Sequence, residues 1–422
     1  MVDAVSMPAD TIRTKGISLA QLQTAVVWLM FVSSFAVIIE PAPSDLMFIV
    51  VVLCFLASGL AIHSAITPMV GYLIFYNIGA FLSYLQIPDD NRAMMFVITS
   101  SYMAASAVFF AFYIGEDTLH RFDIIKRALT IAAVIASLIG LAGYFNIGLH
   151  SGATPEFNRA VGLFKDPNVF STYLIFPALM LVQGFMLGTQ RHKFVSMICL
   201  LIVFAAIFLA FSRGAWINVV FATVLMVGLT FVLTPSTQMR SRIVFFAVVG
   251  LVCAIILLAV LLSIEQVRDL FLDRFTLVKN YDAGETGRFG NQLNSIPMLL
   301  ERPLGFGPFQ YNAIFNLDPH NVYINAFASY GWLGGISYMA LIVSTLIIGF
   351  KSILVRSPFQ NAAIVVYCPL VATIFQGVQI DTDHWRHFYW MLGLTWGLFA
   401  VSIQPHLHVA ASKKKMTLAT GR

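Results

Sequence analysis

Residues 265–321 read EQVRDLFLDRFTLVKNYDAGETGRFGNQLNSIPMLLERPLGFGPFQYNAIFNLDPHN, between an apolar stretch ending near Ile264 and another beginning near Val322. This is the one long polar segment of the chain. It carries Arg268, Arg274, Lys279, Arg288 and Arg302, and it closes on Pro319-His320-Asn321. The rest is greasy: 59% of residues are hydrophobic, 11% are charged, and the mean hydropathy is +0.83. Those values lie far outside the range of soluble domains and define a polytopic membrane protein. A spanning helix needs about 20 apolar residues, and about twelve runs qualify. They centre near Trp28, Leu53, Phe75, Ala105, Ser137, Phe176, Ile202, Phe221, Leu257, Ala340, Val371 and Leu394. None alternates apolar and polar residues as a membrane strand would. The expected fold is therefore an all-α integral membrane protein of one domain, residues 1–422. About twelve transmembrane helices surround one large external loop, residues 265–321.

Charge placement orients the chain. Lys and Arg collect in cytoplasmic loops, and most alternate loops of any length carry a basic pair: Lys126 with Arg127, Arg191 with Lys193, Arg240 with Arg242, Lys351 with Arg356. The start, with Asp3, Asp10, Arg13 and Lys15 ahead of a long apolar run, reads as a cytoplasmic tail rather than a cleavable signal. Both termini then face the cytoplasm and the long loop faces the opposite, outer side of the membrane. Arg92, Arg159, Lys165, Arg213, Arg268, Arg274, Lys279, Arg288, Arg302 and Arg386 fall on the outer side, which the positive-inside bias disfavours. They need another explanation.

Within the long loop, Ile264, Val267, Leu270, Phe271, Phe275 and Val278 recur at three- and four-residue steps. The spacing predicts an amphipathic helix, lying in the interface or packed on neighbours. YDAGETGRFG is a glycine-rich turn, a short helix follows from about Arg288 to Leu300 with a bend at Pro297, and Arg302–Phe309 is loop. Phe211-Ser212-Arg213-Gly214-Ala215-Trp216 is a tight outer turn, and Gly148–Asn168 and Asp381–His387 are further outer loops. Every Asp, Glu, Lys and Arg fits a loop or a span boundary, which argues against a proton relay through the membrane. The four cysteines lie scattered in apolar runs and read as small hydrophobes.

Arg213, Arg288 and His320 come from different segments, all expected at the outer face. Arginine presents a planar fork matched to phosphate oxygens and keeps its charge at any accessible pH. Two arginines near a lipid interface suit a diphosphate headgroup. Snorkelling is the alternative for Arg213, and a solvated loop charge the alternative for Arg288. His320 is the candidate acid or base, with Asn321 placed to hold its ring or the substrate. The Asp381-Thr382-Asp383-His384 loop has three readings: a structural or substrate-hydroxyl contact, an orienting group for histidine or arginine, and a cation site. Arg159, Lys165 and Asn168 border the same face as contacts for glycan or lipid phosphate.

The run GRFGNQLNSIPMLLERPLGFGPF, followed by DPHNVYINAFASYGWLGGI, resembles the hallmark region of the bacterial O-antigen ligase and O-antigen polymerase superfamily. The matching elements are Gly287-Arg288, Pro303/Gly305/Gly307, His320-Asn321, and Gly331, Gly334 and Gly335. FSRGAW and AVGLFKDPNVFSTYL upstream resemble two further family segments. The resemblance implies a GT-C-like, inverting, metal-independent glycosyltransferase with no cofactor. It implies an undecaprenyl-diphosphate-linked glycan as donor and a glycan or lipid A core as acceptor. Arg213 and Arg288 would bind the diphosphate and His320 would be the base, with Asn321, Asn168, Arg159, Lys165, Asp381 and Asp383 as substrate contacts. Membrane lipid and a chain-length regulator are the further expected partners; nucleic acid is not one. A transporter or flippase of lipid-linked sugars is the alternative, against which the unlike halves of the chain argue.

Overall fold

A computed structural model describes residues 18–56, 58–147, 158–274 and 287–404. Lys279, Gly284 and the Phe275–Val278 part of the expected amphipathic helix lie outside these residues. Among the described residues the protein is helical, apart from one isolated bridge between Ala36 and Leu163. The chain runs through α1 (Leu19–Val32), α2 (Pro43–Leu56), α3 (Thr67–Tyr84), α4 (Asn91–Tyr113), α5 (Thr118–Tyr144) and α6 (Pro167–Leu187). It continues through α7 (Lys193–Leu209), α8 (Arg213–Leu233) and α9 (Thr237–Leu262). Three short helices of the polar segment follow: α10 (Glu265–Arg274), α11 (Arg288–Leu300) and α12 (Gln310–Phe315). The chain ends in α13 (Val322–Leu354), α14 (Gln360–Gln376) and α15 (Arg386–Ser402).

A helix covers each of the expected span positions, but only 7 have the length and apolarity to cross a membrane. These are α3 with its preceding turn, α4, α5, α6, α8, α9 and α13. The other five have 14 to 17 residues. At 1.5 Å rise per residue, that is about 21–26 Å, short of a hydrocarbon core of about 30 Å. Hydropathy alone cannot separate lipid-facing helices from buried ones. In α14 and α15 nearly every residue is buried, so their apolarity serves the protein core. In α9 only Ile243 and Leu261 are buried, so its apolar face is the whole circumference.

Two pairings set the frame. Helix α3 packs along α13, where the Tyr76 and Tyr330 rings stack at 3.9 Å, and α4 packs along α15. The loops gather at two ends. At one end, Ala61 meets Glu116 and His63 meets Gln404. At the other, Val37 meets Leu163, Lys165 meets Glu40, Arg386 meets Asp45 and Gln86 meets Leu304. The second end also holds residues 287–321.

Candidate functional site

His320 sits at φ +45°, a left-handed conformation that side-chain-bearing residues rarely adopt. What holds it there is Asp381. The His320 N–H donates to Asp381 Oδ2 and the Asn321 N–H donates to Asp381 Oδ1, both at 3.1 Å. Two successive N–H groups facing one carboxylate form a small anion nest. The carboxylate thereby fixes the strained backbone from which the imidazole projects. Asn321 then starts α13: its Oδ1 accepts from the N–H groups of Tyr323 and Ile324, a cap that stabilises the helix by about 1 kcal/mol. The amide expected to hold the ring or substrate thus has its oxygen at a helix end.

Helix α11 forms over the residues the sequence predicts and contains Pro297. Its Arg288 occupies the first helical position. The helix is tied to the His320 turn by Gln292, whose Nε2 donates to the Pro319 carbonyl at 2.8 Å, and by Asn291, which donates to Phe315 O. Arg213 likewise opens α8, behind the Ser212 cap and Phe211 at φ +46°. One and a half turns on, the Asn218 side chain donates to Gln376 at the end of α14. The next residue, Gly377, accepts from the Val322 N–H, immediately after His320-Asn321. The segments bearing Arg213, Arg288 and His320 are therefore all joined to the turn from Gln376 to Asp383 or to one another. Arg213, Arg288 and His320 are each half-buried.

The Pro303-Leu304-Gly305-Phe306-Gly307 loop has a different task. Helix α13 breaks at Gly331 (φ 64°, ψ −171°), which would orphan backbone groups in an apolar setting. The loop supplies their partners. Phe306 and Gly307 donate N–H groups to the Ala328 carbonyl, and the Pro303 carbonyl accepts from Trp332 N–H. A Cβ at Gly305 would lie 2.5 Å from the Ala328 and Phe327 oxygens, and one at Gly331 would lie 2.6 Å from the Pro303 oxygen. The glycines are there to let two backbones touch.

Among the cations expected on the outer side, Arg92, Arg159, Lys165, Arg302 and Arg386 have structural partners. Arg386 forms a bidentate pair with Asp45 at 2.7 and 2.6 Å, fixing the last loop to the start of α2. Lys165 pairs with Glu40 at 2.9 Å on the surface, and Arg92 pairs with Asp90. Arg159 is only 6% exposed; its Nε donates to the Ala210 carbonyl at 2.6 Å and its Nη2 to Asn168 Oδ1. It therefore braces the turn that carries Arg213, and Asn168 braces Arg159. Arg302 lies over the Phe306 ring. Composition could not show these pairings, because each joins residues far apart in sequence or turns on loop geometry.

Asp383 is 2% exposed. Its Oδ2 accepts from Asn325 Nδ2 and the Tyr330 hydroxyl and faces His384 Nδ1 at 3.2 Å. It is a hub inside the bundle, where the sequence suggested a substrate contact. Burial opposes its charge, but the adjacent His384 and its hydrogen bonds hold the carboxyl below the usual range. For His384, burial works against protonation and Asp383 overcomes it, raising the imidazole. Burial, with the charge of Asp383, pushes Asp381 up to about 8. Among the described residues no group of three or more His, Cys, Asp or Glu is arranged to hold a metal ion.

These shifts have opposite signs in stability. Raised groups favour the proton-bound fold, so the contributions of Asp381 and His384 are lost as pH rises, for Asp381 through about 8. The depressed Asp383 contributes above its unfolded value and loses that contribution in acid. The thermal midpoint of the purified protein should therefore peak on the acid side of neutrality and fall between pH 6 and 9. A midpoint flat or rising over that interval would contradict the assignment.

Polar groups converge at one end of an apolar helical bundle, seven of whose described helices are long and apolar enough to cross a membrane. Residues 198–339 match the family described as O-Antigen ligase (Wzy_C), so over this third of the chain the protein is similar to the O-antigen ligase/polymerase superfamily. The match supports a membrane protein that transfers glycan in the manner of that family. It includes Arg213, Arg288, His320 and Asn321 and leaves out Arg159, Lys165, Asn168, Asp381 and Asp383. No curated protein matches the chain. Sequence reasoning missed Asn218, Gln292 and Gln376. Two of these left a signal, since an amide inside an apolar span is costly unless it has a partner.

Proposed function

We propose that the protein is an inverting glycosyltransferase of the periplasmic face. It transfers a glycan from undecaprenyl diphosphate to an acceptor sugar hydroxyl, another lipid-linked unit for a polymerase or the lipid A core for a ligase. The observation that carries this reading is the family match over the segment holding Arg213, Arg288 and His320. His320 takes the proton from the acceptor hydroxyl, whose oxygen forms the new bond to the anomeric carbon. The bond to the diphosphate breaks on the opposite face, and its electron pair leaves with the diphosphate. Arg213 and Arg288 bind that leaving group and stabilise its growing charge. Asp381 fixes the backbone under His320.

Reconstitution of the purified protein with a defined undecaprenyl-diphosphate-linked repeat tests the proposal. One arm adds a second lipid-linked repeat and the other a lipid A core. Product in one arm, with inverted anomeric configuration, is the expected result. Lipid movement between leaflets without transfer in either arm would favour the flippase alternative.

A further inference from the structure

Asn218 and Gln376 are amides on helices that otherwise read as apolar, and together they line a lateral groove. The groove has a volume of about 430 Å³, within the range of small-ligand sites. It runs between α8 and α14, starting at Gly214, next to Arg213. Its walls change along its length. Near the loop end lie the amides Asn218, Gln376 and Gln379, flanked by Ile217 and Phe375; about a turn deeper lie Phe221 and Ala372. Ile217 and Phe375 are 64% and 58% exposed, so the groove opens sideways from the bundle. Such a groove fits a molecule that arrives within the bilayer and is polar at one end.

The amides are engaged unequally. Gln376 is held from both sides, by Asn218 Nδ2 and by the Thr172 hydroxyl. Asn218 is 3% exposed, and its Oδ1 has no hydrogen-bond partner. An unmet buried acceptor is costly. Isoprene units offer no hydrogen-bond donor and an ionised diphosphate offers none either. The first sugar of a lipid-linked glycan does, through a hydroxyl or an acetamido N–H.

We infer that Asn218, anchored by Gln376, is a subsite for the first sugar of the lipid-linked donor. This rests on the donor reading above and adds a specificity determinant to it. Asn218 Oδ1 accepts a hydrogen bond from that sugar, while Ile217, Phe221 and Phe375 line the path of the first isoprene units.

The test measures binding without turnover, in phosphatidylcholine nanodiscs, for two probes. One is undecaprenyl diphosphate and the other is undecaprenyl diphosphate carrying one N-acetylhexosamine. The wild type should bind the sugar-bearing probe about tenfold more tightly, the size of one buried hydrogen bond. Asn218→Leu should erase that preference, and Asn218→Asp, which keeps an acceptor oxygen, should retain it. If Asn218→Leu does not fold, the same preference is read on the wild type with deoxy and deacetamido analogues of the first sugar. Equal binding of the two probes to the wild type would overturn the sugar contact alone, as would an Asn218→Leu preference equal to the wild type's. A preference abolished by added phosphatidylethanolamine would assign the groove to an ambient headgroup and overturn the inference too. If neither probe binds the wild type, the donor reading itself fails.

Discussion

His320→Ala should lower glycan transfer by roughly 10²–10⁴-fold, the usual contribution of a positioned general base, while leaving donor affinity within a small factor of the wild type. The split is the informative part. His320 lies on the turn between α12 and α13, and the backbone there is fixed by Asp381 through N–H groups that alanine retains. Removing the imidazole should therefore leave the turn in place. Arg213→Gln and Arg288→Gln should show the opposite pattern, with donor affinity falling along with the rate, because an arginine on a diphosphate acts in binding as well as at the transition state. The measurements are steady-state transfer with a defined lipid-linked donor, and donor binding in the absence of acceptor. If His320→Ala lost affinity as severely as rate, its role would be in holding the donor and the base would have to be sought elsewhere.

Asp381→Asn should cost about 100-fold in rate, comparable to a misplacement of the reacting group by about 1 Å. The amide can accept from only one of the two N–H groups now served, and its NH2 would face the other. The left-handed turn at His320 then loses half of what holds it. KM for the donor should stay near the wild-type value. The pH profile separates a positioning role from a merely structural one. Asp381 titrates near 8, and the charged carboxylate grips N–H groups more strongly than the neutral acid. The wild-type rate should rise through that pH and the Asp381→Asn rate should not. Superimposable profiles would remove Asp381 from the positioning of His320. Activity would then increase over the interval in which stability declines, a trade that places the clamp under the site's demands rather than those of the fold.

Much of this was legible in the chain. Helix α11 begins at Arg288 and ends at Leu300, the bounds expected from the glycine-rich sequence before it and the proline-glycine sequence after it. A turn lies between α7 and α8 where the sequence predicts one over Phe211–Trp216, but it is shorter, because Arg213–Trp216 already belong to α8. Both are local: a turn residue or a break in periodicity marks each boundary. The candidate site was legible only as a set of residue types. His320, Arg213 and Arg288 could be named, but Asp381 read as one of several loop carboxylates with three competing roles. Its actual partners lie about 60 positions earlier in the chain, and they are backbone N–H groups, which have no residue signature. Asn321 misled for a related reason: an Asn before an apolar run is also a helix cap, and the cap is what the structure holds. Asn218 and Gln376 carry no charge, so within apolar helices they stand out less than an ionisable group would.

The sequence by itself determined that the protein is a helical membrane bundle, where most of its helices lie, and which polar segment is set apart from the lipid. Those properties follow from hydrophobic content and period, which are written residue by residue. Tertiary structure decided which apolar helices face lipid and which, like α14 and α15, are buried in the protein, since both surroundings select the same side chains. It also decided the partners of Arg92, Arg159, Lys165, Arg302 and Arg386, and the role of Pro303–Gly307 as a splint for the broken α13. In a medium without water, every backbone group and charge needs a protein partner. The identity of that partner is fixed by how the helices pack.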